Sequence, residues 1–531
     1  MTRSPRLLAA ALLAAALGAA GPAVAQDRPS EEELFGPAPP PAQPAAPSAP
    51  APAGEQAPPG PPAPSDAREA EMFGSSGSPN AVPPPPERIV ERARAQENPL
   101  VIGGQLYLRA LATAQQGVPA SQWFFSSPNL LDVYLDARPN DRVRGFALER
   151  VSYDPTLVAD TSTLGQPVIP VPGVSATPRQ NPRGVLDQLW VNFDLGRRVF
   201  VTAGKQHVKW GVGKFWNPTD YLHPVKRDPL AVFDPRAGAT MVKVHVPWEK
   251  RGWNLYGVAL LEDVAGQPQA VDRVGRVASG GRAEVVFGLA ELGVDALVQD
   301  GRRPRFGADV SAGVWDLDLY AEAALRTGVD GSRWVAGPSS AADVFGYVRR
   351  DPEGFVPQVT VGGTWSWKYS DEDAATFGAE YFYNDAGYDG PAVYPFLLAG
   401  APLVDVTDPA APKVSQRAPG AFTPYYLGRH YAGAYASLPS PGSWNDHTFT
   451  LSVLGNLSDR SFIARLDHAV LALTYLRVES FVAGHLGRRG GEFRFAFDLP
   501  PGAAQALGVA PDPRLGKAPV IDLGVALRVS L

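Results

Sequence analysis

From Val101 onward, apolar and polar residues alternate in segments of about ten residues, the two-residue period of a strand with one oily face. Ile102, Leu106, Leu108, Ala110 and Ala112 share one side of the first segment, with Gln105, Tyr107 and Arg109 opposite. In the next, Leu131, Val133, Leu135 and Ala137 oppose Asp132, Tyr134, Asp136 and Arg138. Further along, Leu317, Leu319, Ala321, Ala323 and Leu325 oppose Asp316, Asp318, Tyr320, Glu322 and Arg326. The final strand keeps the pattern to the end, with Ile521, Leu523, Val525, Leu527, Val529 and Leu531 on one face. No helical segments are available to cover two-faced strands of this number. A closed barrel with lipid outside and water inside satisfies both faces and leaves no edge.

The connections predict the topology. Short turns fall at 138–141, 195–198, 247–251, 291–293, 369–373 and 476–479. Long loops fall near 113–128, 153–184, 207–237, 263–281, 327–355, 384–427 and 488–518. The expected fold is therefore all-β: a transmembrane antiparallel β-barrel of about 18 strands, with 16 also compatible. Its strands start near 101, 129, 142, 185, 198, 238, 252, 282, 294, 305, 317, 356, 374, 428, 446, 462, 480 and 519. Both termini and the short turns are expected on the periplasmic side. Trp365, Trp367, Tyr369, Tyr381 and Tyr383 are candidates for interfacial aromatic girdles.

The chain before the barrel differs. Residues 1–25 read as a secretory signal peptide: Arg3 and Arg6, an apolar run from Leu7 to Ala20, and Ala23-Val24-Ala25 at the cleavage site. Residues 26–98 read as a disordered Pro/Ala-rich periplasmic arm. Pro29 to Pro86 holds 19 prolines in 58 residues and cannot bury enough apolar surface to order itself. The arm ends in a short amphipathic helix, Glu87–Ala95, and the barrel is expected over 99–531. Within the arm, Glu31-Glu32-Glu33-Leu34-Phe35-Gly36 reappears as Glu69-Ala70-Glu71-Met72-Phe73-Gly74. Leu34, Phe35, Met72 and Phe73 are docking candidates for a periplasmic partner, or a coincidence of biased composition.

Composition narrows the function. The formal charge is -6, with 48 Lys and Arg against 54 Asp and Glu, so nucleic acid is not an expected partner. Cysteine is absent, which excludes disulfides, thiolate metal sites and a lipoprotein anchor. The seven histidines are scattered, with neither metal spacing nor a Ser-His arrangement. No enzyme, metal or cofactor is expected.

The most informative stretch runs from Gly204 to Asp220, GKQHVKWGVGKFWNPTD, directly after a strand. Gly204, Lys205, Gln206, Trp210, Gly211, Asn217, Pro218 and Asp220 resemble a motif of Gram-negative outer-membrane porin-like barrels, including the alginate-export family and related uncharacterised barrels. A weaker echo is Leu457-Ser458-Asp459-Arg460-Ser461 with Gly484 and Gly491-Glu492-Phe493. The resemblance implies an outer-membrane channel placed by the outer-membrane insertion machinery and surrounded by lipid and lipopolysaccharide. It would pass small hydrophilic solutes or saccharides.

Physically, the stretch suits a constriction. Gly211 and Gly213 permit sharp re-entry, Pro218 and Pro224 stiffen the loop, and Asn217 or Asp220 can cap a turn. Lys205, Gln206, His207, Lys209, Trp210, Lys214, Asn217, Asp220, His223, Lys226, Arg227 and Asp228 are the candidate constriction residues. Strict alternation puts Lys205 on the lipid face, so either it lies at the rim or a bulge at Gly204 turns it inward. The loop either folds into the lumen, its cations favouring anions, or packs outward against lipopolysaccharide. Two other functions stay open: a structural or adhesion barrel with an occluded lumen that anchors a periplasmic partner, and an enzyme in barrel form.

Overall fold

The computed structural model describes residues 99–157, 181–264, 271–329, 332–338, 345–370, 373–399 and 422–530, apart from 224, 233, 235 and 498–515, together with the backbone of 402–405 and 413–417. The signal peptide and the arm, with Leu34, Phe35, Met72 and Phe73, lie outside the described residues.

Eighteen of the nineteen strands in the main sheet form the barrel wall. They are β1 (Leu100–Gln115), β2 (Asn129–Asn140), β3 (Val143–Tyr153), β4 (Arg183–Leu195), β5 (Val199–Gln206) and β6 (Ala239–Trp248). Next come β7 (Trp253–Leu260), β8 (Ala278–Phe287), β9 (Ala290–Val298), β10 (Arg305–Val314), β11 (Leu317–Thr327) and β12 (Phe355–Lys368). The wall ends with β13 (Ala374–Asn384), β14 (His430–Pro439), β15 (His447–Asn456), β16 (Ser461–Leu473), β17 (Leu476–Gly487) and β18 (Pro519–Ser530). Each pairs antiparallel with the next. β18 returns to β1, from Gln105 opposite Ser530 to Gln115 opposite Pro519. The nineteenth strand, Phe124–Ser126, folds back onto β1. Closure leaves no unpaired edge, as hydrocarbon demands.

The alternation decides which side chains meet lipid. Ile102, Val133, Leu319, Val361, Leu466, Leu523 and Val525 are exposed on the outer surface. Tyr107, Asp136, Glu284, Tyr320, Glu322 and Glu380, on the opposite faces, are buried. Large exposed aromatics gather at the short-turn end: Trp248, Phe287, Trp315, Trp365, Trp367, Trp444 and Tyr475. Tyr381 and Tyr383 leave the turn after β12 and reach the other rim, where the Tyr381 hydroxyl meets His430 Nδ1 at 2.7 Å. A charge on the outer band should be costly. Val361→Arg, at the middle of β12, is expected to destabilise the barrel by about 2–4 kcal/mol. Retention of the heat-resistant electrophoretic form to the wild-type temperature would contradict this.

Fifteen of the expected strand starts fall within two residues of the observed ones. Starts expected at 282, 294 and 480 lie four residues late, because β8, β9 and β17 begin at 278, 290 and 476. The turns are Gly288-Leu289 and Thr474-Tyr475, where 291–293 and 476–479 were expected. Apolar turn residues mislead the pattern. Leu289 and Tyr475 are more than 65% exposed and read as strand positions, yet they stand in the turns. Glu492–Arg494 alternates like a strand but forms a single 3-10 turn inside a loop.

The long loops leave from one end of the strand ladder. A short helix, α1 (Tyr394–Ala399), is buried through Tyr394, Phe396, Leu397 and Leu398. Trp334, Phe345, Tyr388, Phe422 and Phe495 pack around it.

Candidate functional site

Residues 207–238 leave β5 and cross to the far wall. The backbone explains how. Gly204 has φ +127°, and a Cβ there would stand 2.1 Å from the Leu189 carbonyl oxygen. Gly211 has φ +87°, and its Cβ would stand 2.4 Å from the Glu322 carboxylate oxygens. Only glycine takes these conformations without strain. The loop can therefore lay its amides directly onto a carboxylate.

Two inward carboxylates receive it. Glu322, the middle residue of β11, accepts the Val212 and Gly213 N–H groups on Oε2 at 2.9 and 3.0 Å. Its Oε1 accepts the Thr219 N–H and hydroxyl, each at 2.7 Å. Glu380 on β13 accepts the N–H groups of Lys214 at 2.7 Å and Trp216 at 2.7 Å, and that of Phe215 at 3.1 Å. The Tyr320 hydroxyl donates to it at 2.8 Å. Backbone dipoles solvate both carboxylates in place of water. Both acceptors lie near mid-strand, so the loop is pinned at about half the barrel height.

Apolar packing completes the dock. Trp216 is fully buried, stacked on Phe382 at 5.8 Å and tilted against Tyr431 at 5.4 Å. Its indole N–H donates to the Tyr425 carbonyl at 2.9 Å. Nearer β5, Val208, Trp210, Tyr221 and Leu222 pack on Met241, Leu260 and Leu297 of β6, β7 and β9.

The expected constriction residues divide by position. Lys205 is the correction. The β5 ladders run without a bulge, so it stays on the outer face opposite Leu189, one residue from the strand end. Its ammonium pairs with Glu262 at 3.6 Å. The others, 206–228, are gathered inside. The Gln206 amide donates to the Thr202 and Met241 carbonyls at 3.3 Å, a structural role. His207 Nε2 meets Asp187 at 2.8 Å, and its ring stacks on His223 at 5.5 Å. Asn217 donates to the Trp210 carbonyl at 3.1 Å, closing the Trp-Gly-to-Asn-Pro turn. Asp220 is held by Arg236 at 2.9 Å, which also grips Asp234 at 2.6 Å. Lys226 lies over the Tyr426 ring at 5.7 Å, the Arg227 guanidinium donates to the Lys214 carbonyl, and Asp228 accepts the Leu230 N–H at 2.9 Å. Lys226, Arg227 and Asp228 are thus engaged in holding the loop. Lys209 and Lys214 line a cavity beneath it.

Asp220 and His223 are among the loop groups whose titration burial shifts. Burial would raise the Asp220 carboxyl, but Arg236, His223 and Lys226 override it and hold it below the usual carboxylate range. Burial pushes the His223 imidazole down to about 4, helped by Arg236 and His207 and opposed by Asp220 and Asp234. Neutral His223 accepts the Val208 N–H at 3.4 Å. The undocked loop would therefore bind a proton that the docked loop refuses between pH 6.5 and about 4. Docking should weaken as pH falls through that window, by roughly 3 kcal/mol in all. Channel current, or tryptophan fluorescence of the loop, is expected to change between pH 6.5 and 4 and to lose most of that change in His223→Gln. An identical profile in the variant would assign the transition elsewhere.

The weaker sequence echo also converges inside. Glu492 N–H donates to Asp459 Oδ2 at 2.8 Å, and the Ser461 hydroxyl donates to Asp459 Oδ1 at 2.6 Å. The Glu492 carboxylate takes the Tyr431 hydroxyl at 2.6 Å and the Asn456 amide at 2.8 Å. Burial pushes the Glu492 carboxyl up to about 8. This is a second loop pinned by a buried acid.

The inner face of β16, β17, β18, β1 and β3 carries another set. Arg465, Arg477, Arg528, Arg109, Arg144 and Arg150, on β16, β17, β18, β1 and β3, stand on the inner face and are half-buried. Asp132, Asp136, Asp467 and Glu479 stand among them, with Arg150 2.8 Å from Asp132 and Arg528 2.8 Å from Glu479. Among the described residues, no group of three or more His, Asp or Glu is placed to hold a metal ion.

No protein-family model and no curated protein matches the chain. Solved structures do align. An engineered mutant of the Rhodopseudomonas blastica porin matches 81% of this chain and 100% of its own at 10% identity, with a TM-score of 0.36. OccAB1 of Acinetobacter baumannii matches 81% of this chain and 97% of its own at 12% identity, with a TM-score of 0.44. The barrel described above rests on its own strand ladder.

Proposed function

We propose that this chain is a porin-like channel of a Gram-negative outer membrane, passing small hydrophilic solutes, saccharides among them, without energy coupling. The observation that carries this reading is the loop pinned to Glu322 and Glu380 at mid-barrel. It crosses the barrel interior, and the inner face of β16–β18, β1 and β3 supplies six arginines among four carboxylates. Field lines in a passage with low-dielectric walls concentrate there, so the arginines favour anions. The solute is surrounded by protein; lipid and lipopolysaccharide contact the outside, and the insertion machinery and any arm-bound periplasmic partner act beyond the barrel.

A second reading draws on the apolar filling. Phe215, Trp216, Phe382, Tyr431, Leu454 and Phe493 form one cluster beside β13–β16, which favours a closed, structural barrel. Planar-bilayer recording separates the two. A stable conductance step with anion preference in a salt gradient is expected of the channel. A correctly folded barrel that stays silent would overturn the channel and support the structural reading.

A further inference from the structure

The seven histidines are scattered in sequence, yet one antiparallel hairpin brings two of them together. We propose that His447 and His468 form a two-imidazole site for a divalent late transition-metal ion, Cu²⁺ foremost, on the outer face of the barrel wall near its short-turn rim. The site is separate from the docked loop and goes beyond the channel reading.

Register makes the pair. His447 opposes Val470 and Phe449 opposes His468, so the two imidazoles are diagonal neighbours on one face of β15 and β16. That face points outward: Leu451 and Val453 share it with His447, Leu466 shares it with His468, and all three are exposed. His447 is the first residue of β15, directly after the turn, which sets the pair close to the rim. Its Nδ1 stands 2.9 Å from His468 Nε2, with the rings 20° from parallel. Aromatic rings brace both imidazoles. Trp444 lies 4.9 Å from the His447 ring, and Phe449 stacks on His468 at 4.5 Å. Packing thus holds the two nitrogens together before any ion arrives.

The spacing selects the ion. Two nitrogens at about 2.0–2.1 Å from one metal are about 2.9 Å apart across a right angle and about 3.3–3.4 Å apart in a tetrahedron. The observed separation is that of neighbouring corners of a square plane, the geometry of Cu²⁺ and Ni²⁺, and the affinity order for nitrogen ligands puts Cu²⁺ first. Without metal, the facing nitrogens share one proton, donor to acceptor. On binding, that proton moves to the far nitrogen of its own ring, so two neutral imidazoles each offer a lone pair and water fills the other corners. The second stacked pair, His207 and His223, does not converge in this way. His207 Nε2 is on the Asp187 carboxylate and His223 Nε2 accepts the Val208 N–H.

Tag-free full-length protein in detergent micelles, stripped with a chelator, is titrated with Cu²⁺. Electron paramagnetic resonance should show one tightly bound Cu²⁺ per chain with two imidazole nitrogens in its coordination plane. His447→Gln and His468→Gln should each weaken binding about tenfold or more, because the second imidazole attaches intramolecularly. His430→Gln, at the other rim, should leave it unchanged. Heat-resistant migration checks each variant, and if one misfolds the nitrogen count of the wild-type protein decides alone. Absence of saturable Cu²⁺ binding, a single-nitrogen signature, or full-strength binding in the double His447→Gln/His468→Gln variant would overturn the site. None of these outcomes depends on conductance, so the channel reading stands or falls separately.

Discussion

Replacing Glu322 and Glu380 together by leucine is expected to raise single-channel conductance several-fold while leaving the barrel heat-resistant. Six backbone N–H groups of the loop, those of Val212, Gly213, Thr219, Lys214, Phe215 and Trp216, end on these two carboxylates. A buried donor left without an acceptor costs about 1–3 kcal/mol. Losing either carboxylate orphans three of them, and losing both exceeds what the remaining apolar contacts of the loop can offset. The strand ladders do not depend on these side chains, because their own amides are paired across the wall. Glutamine should act more mildly, since its carbonyl still accepts. Gly211→Ala reaches the same end from the other side, by strain at φ +87° and by thrusting a methyl against the Glu322 oxygens. Unchanged conductance in the double leucine variant would show that the loop stays docked without its acceptors, and the constriction would need another cause.

The barrel was readable because the constraint is local and repeated. Every spanning strand must present an apolar side chain at each second position, so Leu317, Leu319 and Leu325 declare a strand without reference to anything distant. Rims break that logic, and Leu289 and Tyr475 are apolar because they anchor an interface, which is why two turns moved. The loop was half readable. Gly211, Gly213 and Asn217-Pro218 announce a sharp re-entry, and the Asn217 amide does close it on the Trp210 carbonyl. Its destination was hidden. Glu322 lies 103 residues from Thr219 and Glu380 lies 164 residues from Trp216, and on their strands each looks like any inward polar residue. The cations of the loop misled in a similar way. Lys226 and Arg227 suggested a charged lining, whereas folding consumes them in a ring contact and a bond to a carbonyl. The inward arginines come from five strands at the two ends of the barrel sequence, and only closure of the sheet brings them to one wall.

Trp216→Ala should separate the loop from the barrel in energy. The indole is fully buried, stacks on Phe382 and leans on Tyr431, while its N–H answers the Tyr425 carbonyl, so one side chain ties the constriction loop to β13, β14 and the 385–429 loop. Truncating a buried tryptophan costs about 3–5 kcal/mol, part of it for the cavity left behind. That cost falls on docking, because Phe382 and Tyr431 keep their places in paired strands through backbone bonds that Trp216 does not share. The expected result is a channel of normal thermal stability whose current flickers between the wild-type level and a larger one, with new protease cleavage within 211–238. The barrel melting several degrees early with steady current would reverse the assignment, making Trp216 a part of the wall's core and leaving the loop held by Glu322 and Glu380 alone.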